Sequence, residues 1–381
     1  MIIFINPTDS SIYRCSSFEG LKTYLFTWNN TISEGRSIHE YSLKLMQNGD
    51  VICVWKTEIL LSGSDDSVRK NPIVYVASNN YIPVLVDFGG DIKPSGWFAN
   101  VGALELDGNL LFCEYTRPSV QRAIIWKVSY PYQNKTNWVN KKEIILSGNN
   151  VTGLKHWHCI QRDPYTGVIY ATTGDDNTGA YVYYSVDDGN TFNILYGPSE
   201  KLCRLVNYIF TENWIYWSSD TSIYEFHFFF KAPRTSGILD HQNITEILQF
   251  PNIANLATYN SVFVESINCI LFLERFDSNG SSLLLRVYDF NDNQLKTIDT
   301  LTSVIGSSSF GFRLNYVDIY PTGNSVYCGF SETLNLYSNY ANNISKAGNR
   351  DASIIHRRNN LIITLQRDGS NIIPTYSSQT N

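Results

Sequence analysis

Methionine is nearly missing from this 381-residue chain, which has only two, and long apolar runs are missing altogether. No segment approaches the roughly eighteen consecutive apolar residues of a membrane-spanning helix, so membrane insertion is not expected. The opening Met1-Ile2-Ile3-Phe4-Ile5-Asn6-Pro7 has no basic start and too short an apolar run for a secretory signal. It reads as a β-strand of a protein made in the cytosol. Positive charge is also scarce: 29 Lys and Arg stand against 35 Asp and Glu, the net charge is −6, and no basic cluster occurs. A nucleic-acid partner is therefore not expected. Cysteine pairs are lacking too. Cys15, Cys53, Cys113, Cys159, Cys203, Cys269 and Cys328 are odd in number, dispersed, and never spaced C-x-x-C. They read as buried thiols in strands, and neither a metal nor another cofactor is expected.

What the chain does have is aromatics, 14% of it with 25 Tyr, in the balance of half-buried strands. A strand–turn–strand unit recurs along it. Tyr41 to Met46 turns at Gln47-Asn48-Gly49-Asp50 into Val51 to Trp55, and Val101 to Leu106 turns at Asp107-Gly108 into Asn109 to Tyr115. Further copies turn at Asp163-Pro164-Tyr165-Thr166-Gly167, at Glu212-Asn213, between Val262 and Leu273, and at Pro321-Thr322-Gly323. Their first strands start near His39, Asn100, His156, Arg204, Tyr259 and Arg313, separated by 61, 56, 48, 55 and 54 positions. That period fits a four-stranded propeller blade. The expected fold is all-β, a six-bladed β-propeller formed by residues 1–381 as a single domain, with seven blades as the alternative. Strand-like Met1 to Ile5 and Leu361 to Leu365 are expected to pair in the last blade and close the ring.

One second hairpin carries a full motif. Ser185, Asp187, Gly189, Thr191 and Phe192 match S-x-D-x-G-x-T-[WF], in which the Asp accepts backbone N–H groups, the Gly supplies a positive φ, and the Thr and Phe restart a strand. The chain resembles sialidase-like proteins with Asp-box (BNR) repeats. That resemblance implies a propeller with the box in an outer hairpin, and a structural role for these five residues. It also implies an arginine triad, of which Arg204 and Arg313 hold the second and third places by blade position. Tyr13-Arg14-Cys15-Ser16 departs from the family's F/Y-R-I-P motif, and no tyrosine–glutamate pair can be assigned. The resemblance covers repeats and one box, not the sialidase active site.

In a propeller, the starts of first strands and the ends of second strands meet around one funnel. The starts bring His156 with His158, Arg204, Tyr259 and Arg313; the returns bring Glu114 with Tyr115, Asp175 with Asp176, Asp220 and Glu274. On a regular strand His156 and His158 point to one side. Glu114, Asp175, His156 and His158 are the candidates for acid–base work, since glycoside hydrolysis needs paired carboxylates and imidazole titrates near neutrality. Tyr115, Arg204, Asp220, Tyr259, Glu274 and Arg313 are the candidates for holding a ligand. Trp97, Trp157 and Trp217 are read as further aromatics at the funnel, fit for stacking on sugar rings.

The function these features suggest is recognition of a surface glycan or polysaccharide. Without an export signal, the expected setting is a phage tail or other virion, as a host-attachment protein that contacts other virion proteins. A bacterial or phage-borne glycoside hydrolase or polysaccharide lyase is a second reading. A structural or protein-binding propeller is a third.

Overall fold

The computed structural model describes residues 2–5, 11–15, 23–27, 41–55, 73–76, 83–85, 102–113, 124–129, 142–143, 145–146, 157–174, 177–220, 226–251, 260–275, 282–302, 310–322, 325–334 and 356–378. Strands dominate them. The helix Glu200–Cys203 and the 3-10 turns His241–Asn243 and Glu265–Ile267 are short interruptions. Seven sheets follow one another along the described residues. They belong to two compact units, one made of Asn30–Ile59 and Ser64–Asn252, the other of Met1–Asn29, Leu60–Gly63 and Ile253–Asn381.

The Asn30–Asn252 unit holds the second to fifth sheets, each built around antiparallel strand pairs. Its first two hairpins turn where Asn-Gly and Asp-Gly were read: Gly49 has φ +86° and Gly108 +68°, a region closed to most side chains. Tyr41–Leu45 pairs with Val51–Trp55, and Ala103–Leu106 with Asn109–Cys113. The fourth sheet runs Trp157–Arg162, Ile169–Thr173, Val182–Ser185, Thr191–Tyr196, and takes Ile145–Leu146 in parallel on its last strand. The fifth runs Tyr208–Phe210, Trp214–Ser218, Phe226–Thr235 and Thr245–Pro251.

Alternation along these strands sends apolar side chains to both faces, and consecutive sheets share the cores between them. Leu106, Leu111 and Cys113 of the third sheet pack with Trp157, Ile169, Tyr183 and Phe192 of the fourth. Cys159, Tyr170 and Val182 of the fourth pack with Tyr208, Trp217 and Phe230 of the fifth. Trp157 and Trp217 are thus fully buried between sheets. The Trp217 indole also donates to Leu202 O at 3.1 Å. Neither is a free aromatic platform, which corrects the funnel placement read from the sequence. Short apolar runs such as Trp214 to Trp217 bury both faces, and sequence cannot tell which ring lies deepest.

The turn Ser185 to Phe192 folds by the hydrogen bonds its residue types predict. Asp187 accepts from the Asn190 and Thr191 N–H groups and from the Thr191 hydroxyl, while Ser185 Oγ donates to Asp187 and accepts from Gly189 N. Burial acts to raise the Asp187 carboxyl, but these bonds from Thr191, Ser185 and Asn190 hold it below its ordinary value. Gly189 has φ +72°, and a Cβ there would come within 2.4 Å of Leu111. Phe192 fills the core behind it.

The other unit holds the first, sixth and seventh sheets. Asn260–Val264, Cys269–Arg275, Ser282–Asp289 and Gln294–Thr302 form the sixth; Phe310–Thr322, Ser325–Leu334, His356–Asp368 and Asn371–Ser378 form the seventh. Val264, Leu271 and Val287 share a core with Ile363, Leu365 and Ile372. The pairing expected between the chain ends is corrected here. Ile2–Ile5 pairs with Ser11–Cys15, which pairs in turn with Thr23–Thr27. Leu361 to Thr364 has both edges taken, by Ser325–Leu334 and Asn371–Ser378, and a strand has only two edges to offer.

Candidate functional site

Three of the sequence-predicted residues meet at one end of the fourth and fifth sheets, and their local backbone explains how. In the fourth sheet Trp157 pairs with Thr173 but Cys159 with Thr172, so His158 is the extra residue of a β-bulge. The bulge breaks the two-residue alternation, and Trp157, His158 and Cys159 are all buried in succession. The same-side reading of His156 and His158 rested on regular alternation, and His156 itself lies outside the described residues. The imidazole lies flat against Gly174, where an added Cβ would come within 2.1 Å of His158 Cε1 and 2.4 Å of Nε2.

Arg204 arrives from the short helix Glu200–Cys203, capped by Ser199, whose hydroxyl accepts from Leu202 N. The segment after it is pinned from two sides: Asp220 N donates to Arg204 O at 2.7 Å, and Thr172 Oγ1 to Leu205 O at 2.9 Å. Asp220 itself follows the second strand of the fifth sheet. These pins bring the side chains together. His158 Nδ1 stands 4.0 Å from Asp220 Oδ2, Arg204 Nε stands 3.6 Å from the same oxygen, and Arg204 Nη1 donates to Glu200 Oε1 at 3.0 Å. The side chains of His158 and Glu200 are 2% exposed, Asp220 11% and Arg204 13%. Glu200 N is held in turn by the Asn177 side chain at 3.1 Å.

Glu200 was missed by the sequence reading. Its signals were present: a Ser199 cap followed by Glu200 and Arg204 at i, i+4. Gly174 was missed as well, and only the packing of His158 reveals it. Of the remaining candidates, Glu114, Tyr115, His156, Asp175 and Tyr259 lie outside the described residues, as do Trp97 and Asp176. Glu274 falls in Cys269–Arg275 and Arg313 in Phe310–Thr322, within the other unit, and only their strand positions are described.

The Ser185 to Phe192 turn is not part of this cluster. Ile169 pairs with both Arg162 and Ser185, whereas His158 lies beside Thr172 and Thr173, so turn and cluster occupy opposite ends of the fourth sheet. No group of three or more His, Cys, Asp or Glu suited to a metal ion occurs among the described residues.

Chemically, the cluster offers two carboxylates, one guanidinium and one imidazole at a protected sheet end. Such a set can accept and donate hydrogen bonds to a polar ligand. Gly174→Ala is expected to drive the imidazole out of its place and to lower stability by about 1–3 kcal/mol. Urea unfolding would check the stability, and the histidine ring resonances would show whether its neighbours change.

No family model and no curated protein matches the sequence. Solved structures do. The chain is similar to a hypothetical selenium-binding protein from Sulfolobus tokodaii, with a TM-score of 0.52 at 9% identity over 97% of this chain and 87% of that one. It is similar to the periplasmic gluconolactonase of Pseudomonas aeruginosa, with a TM-score of 0.50 at 13% identity over 85% and 87%. A Trypanosoma rangeli sialidase solved with the inhibitor DANA matches at a TM-score of 0.46 and 12% identity, over 83% of this chain and 55% of its own length. At that score the sialidase likeness carries no argument, and at all these identities the likeness is one of fold. Together with the run of four-stranded antiparallel sheets, it makes this an all-β protein of the β-propeller class.

Proposed function

We propose that the chain is a glycan-recognising propeller that serves in host attachment as part of a phage tail or other virion, with His158, Arg204 and Asp220 at its ligand-contacting end. The observation that carries this reading is the convergence of those three residues, from the fourth sheet, the helix after it and the fifth sheet, into one network. A sheet end gains little stability from buried charges, which well-packed apolar residues often replace without loss. Keeping them fits a polar ligand. The reading of Ser185 to Phe192 as an Asp-box, and the sialidase-like resemblance it carries, support a sugar as that ligand. The cysteines fit assembly in a reducing compartment: Cys113, Cys159, Cys203 and Cys269 are buried thiols rather than disulfides, and burial pushes the Cys159 and Cys269 thiols up to about 12.

Simultaneous alanine replacement of His158, Arg204 and Asp220 is expected to weaken binding to host cells or to an immobilised surface polysaccharide by about 100-fold or more. Retained binding would move the site elsewhere. A second reading, that the cluster is a structural brace, draws on the near-complete burial of His158 and Glu200. It predicts that the triple variant melts early while its folded fraction binds as before. Release of fragments from a labelled polysaccharide would instead mark a glycoside hydrolase or lyase, with Glu114 and Asp175 as the acid–base candidates.

A further inference from the structure

We infer that this site takes neutral or amino sugars and rejects carboxylated ones; the inference rests on the glycan reading above and specifies its substrate class. An arginine that captures a ligand carboxylate presents two parallel N–H donors to it. Arg204 is engaged otherwise. Its Nη1 donates to Glu200 at 3.0 Å and its Nε faces Asp220 Oδ2 at 3.6 Å, so one guanidinium already stands between two carboxylates of its own chain.

A ligand carboxylate drawn to Arg204 would have to sit against Asp220 as well, with like charges a few ångströms apart in a poorly hydrated place. Glu200 strengthens the effect. It is almost fully buried, and the Asn177 contact to its backbone and the Ser199 cap fix the turn that carries it. The more exposed groups of the cluster are Arg204 and Asp220. A guanidinium beside a carboxylate offers a donor and an acceptor side by side, which suits a vicinal diol: one hydroxyl donates to Asp220 while its neighbour accepts from Arg204. An ammonium group suits the acidic side even better. The carboxylate pair that flanks the arginine is thus what repels acidic sugars.

The test is a binding panel for the full chain against neutral, amino, uronic-acid and sialylated glycans, repeated with the isosteric variant Glu200→Gln. Neutral or amino glycans are expected to bind and the acidic ones not, and Glu200→Gln is expected to narrow that discrimination by about tenfold. Acidic glycans that bind the parent chain and are lost in Arg204→Ala would overturn the inference and leave the glycan reading intact. Binding to no glycan of any class would overturn both. If Glu200→Gln melts early, Asp220→Asn keeps the shape and removes the other charge; unchanged discrimination in a stably folded variant would overturn the inference.

Discussion

Asp163→Ala is expected to destabilise the Asn30–Asn252 unit by about 3–5 kcal/mol, the cost of leaving one member of a buried ion pair without its partner. Asp163 closes the first strand of the fourth sheet and is fully buried. Arg234 comes from the third strand of the fifth sheet and meets it with two donors, Nε to Oδ2 at 2.6 Å and Nη2 to Oδ1 at 3.1 Å. The remaining guanidinium nitrogen, Nη1, donates to Glu212 O at 2.9 Å, and Asp163 Oδ1 also accepts from Tyr165 N. The fork therefore ties a turn of one sheet to a turn of the next. Removing the carboxylate strands a cation that is itself only 8% exposed. The double variant Asp163→Ala with Arg234→Met should cost much less than the sum of the singles, because no unpaired charge remains. Chemical denaturation of the three variants measures this. A loss below about 1 kcal/mol for Asp163→Ala would show that the pair is not the tie described here.

In the other unit, acid is expected to act through Asp289. Arg367 donates to both of its oxygens at 2.8 and 2.9 Å, and Lys296 Nζ lies 3.0 Å from Oδ2. The bonds from Arg367 hold the Asp289 carboxyl well below its ordinary value of 3.8 against the opposing cost of burial, helped by Asn291 N–H and Lys296. A depressed carboxylate binds its proton more readily in the unfolded chain. Its contribution is therefore fully present above the unfolded value, near pH 4, and is lost as pH falls toward the folded value. Asp289→Asn should be less stable than the parent at pH 7, by about 3 kcal/mol, since it leaves Arg367 without its carboxylate, whereas Lys296 keeps Asp292. Its stability should then fall less steeply below pH 4. Denaturation midpoints from pH 7 to pH 2, read on amides of the sixth and seventh sheets, would check both. Parallel curves for the two proteins would exclude Asp289 as the source of acid sensitivity.

Much of the fold was legible before any coordinates. Gly49 and Gly108 mark hairpins because glycine adopts their positive φ at no steric cost, and the flanking strands alternate with period two. The Ser185 to Phe192 turn was legible for the same local reason: the hydrogen bonds that Ser185 and Asp187 make within it run between residues at most four apart.

The candidate site was legible only in outline. Repeat spacing put His158, Arg204 and Asp220 at matching places, since strand starts and returns of equivalent units share one end. It did not show the bulge that re-aims His158, which depends on the register of Trp157–Arg162 against Ile169–Thr173. Nor did it show that Trp157 and Trp217 are core residues rather than sugar platforms, because an aromatic in a strand looks the same from either face.

What the sequence determined by itself, then, is what short-range chemistry determines: strands, turns, the repeat length, and the absence of a long apolar helix. The tertiary structure decided which charges meet. Asp163 finds Arg234 71 residues away and Asp289 finds Arg367 78 residues away, while Asp220 reaches Arg204 from the end of a strand of the fifth sheet. Such pairings depend on how neighbouring sheets stack and in what register, and no local spacing encodes that, so the charge that a ligand would meet is a property of the folded chain alone.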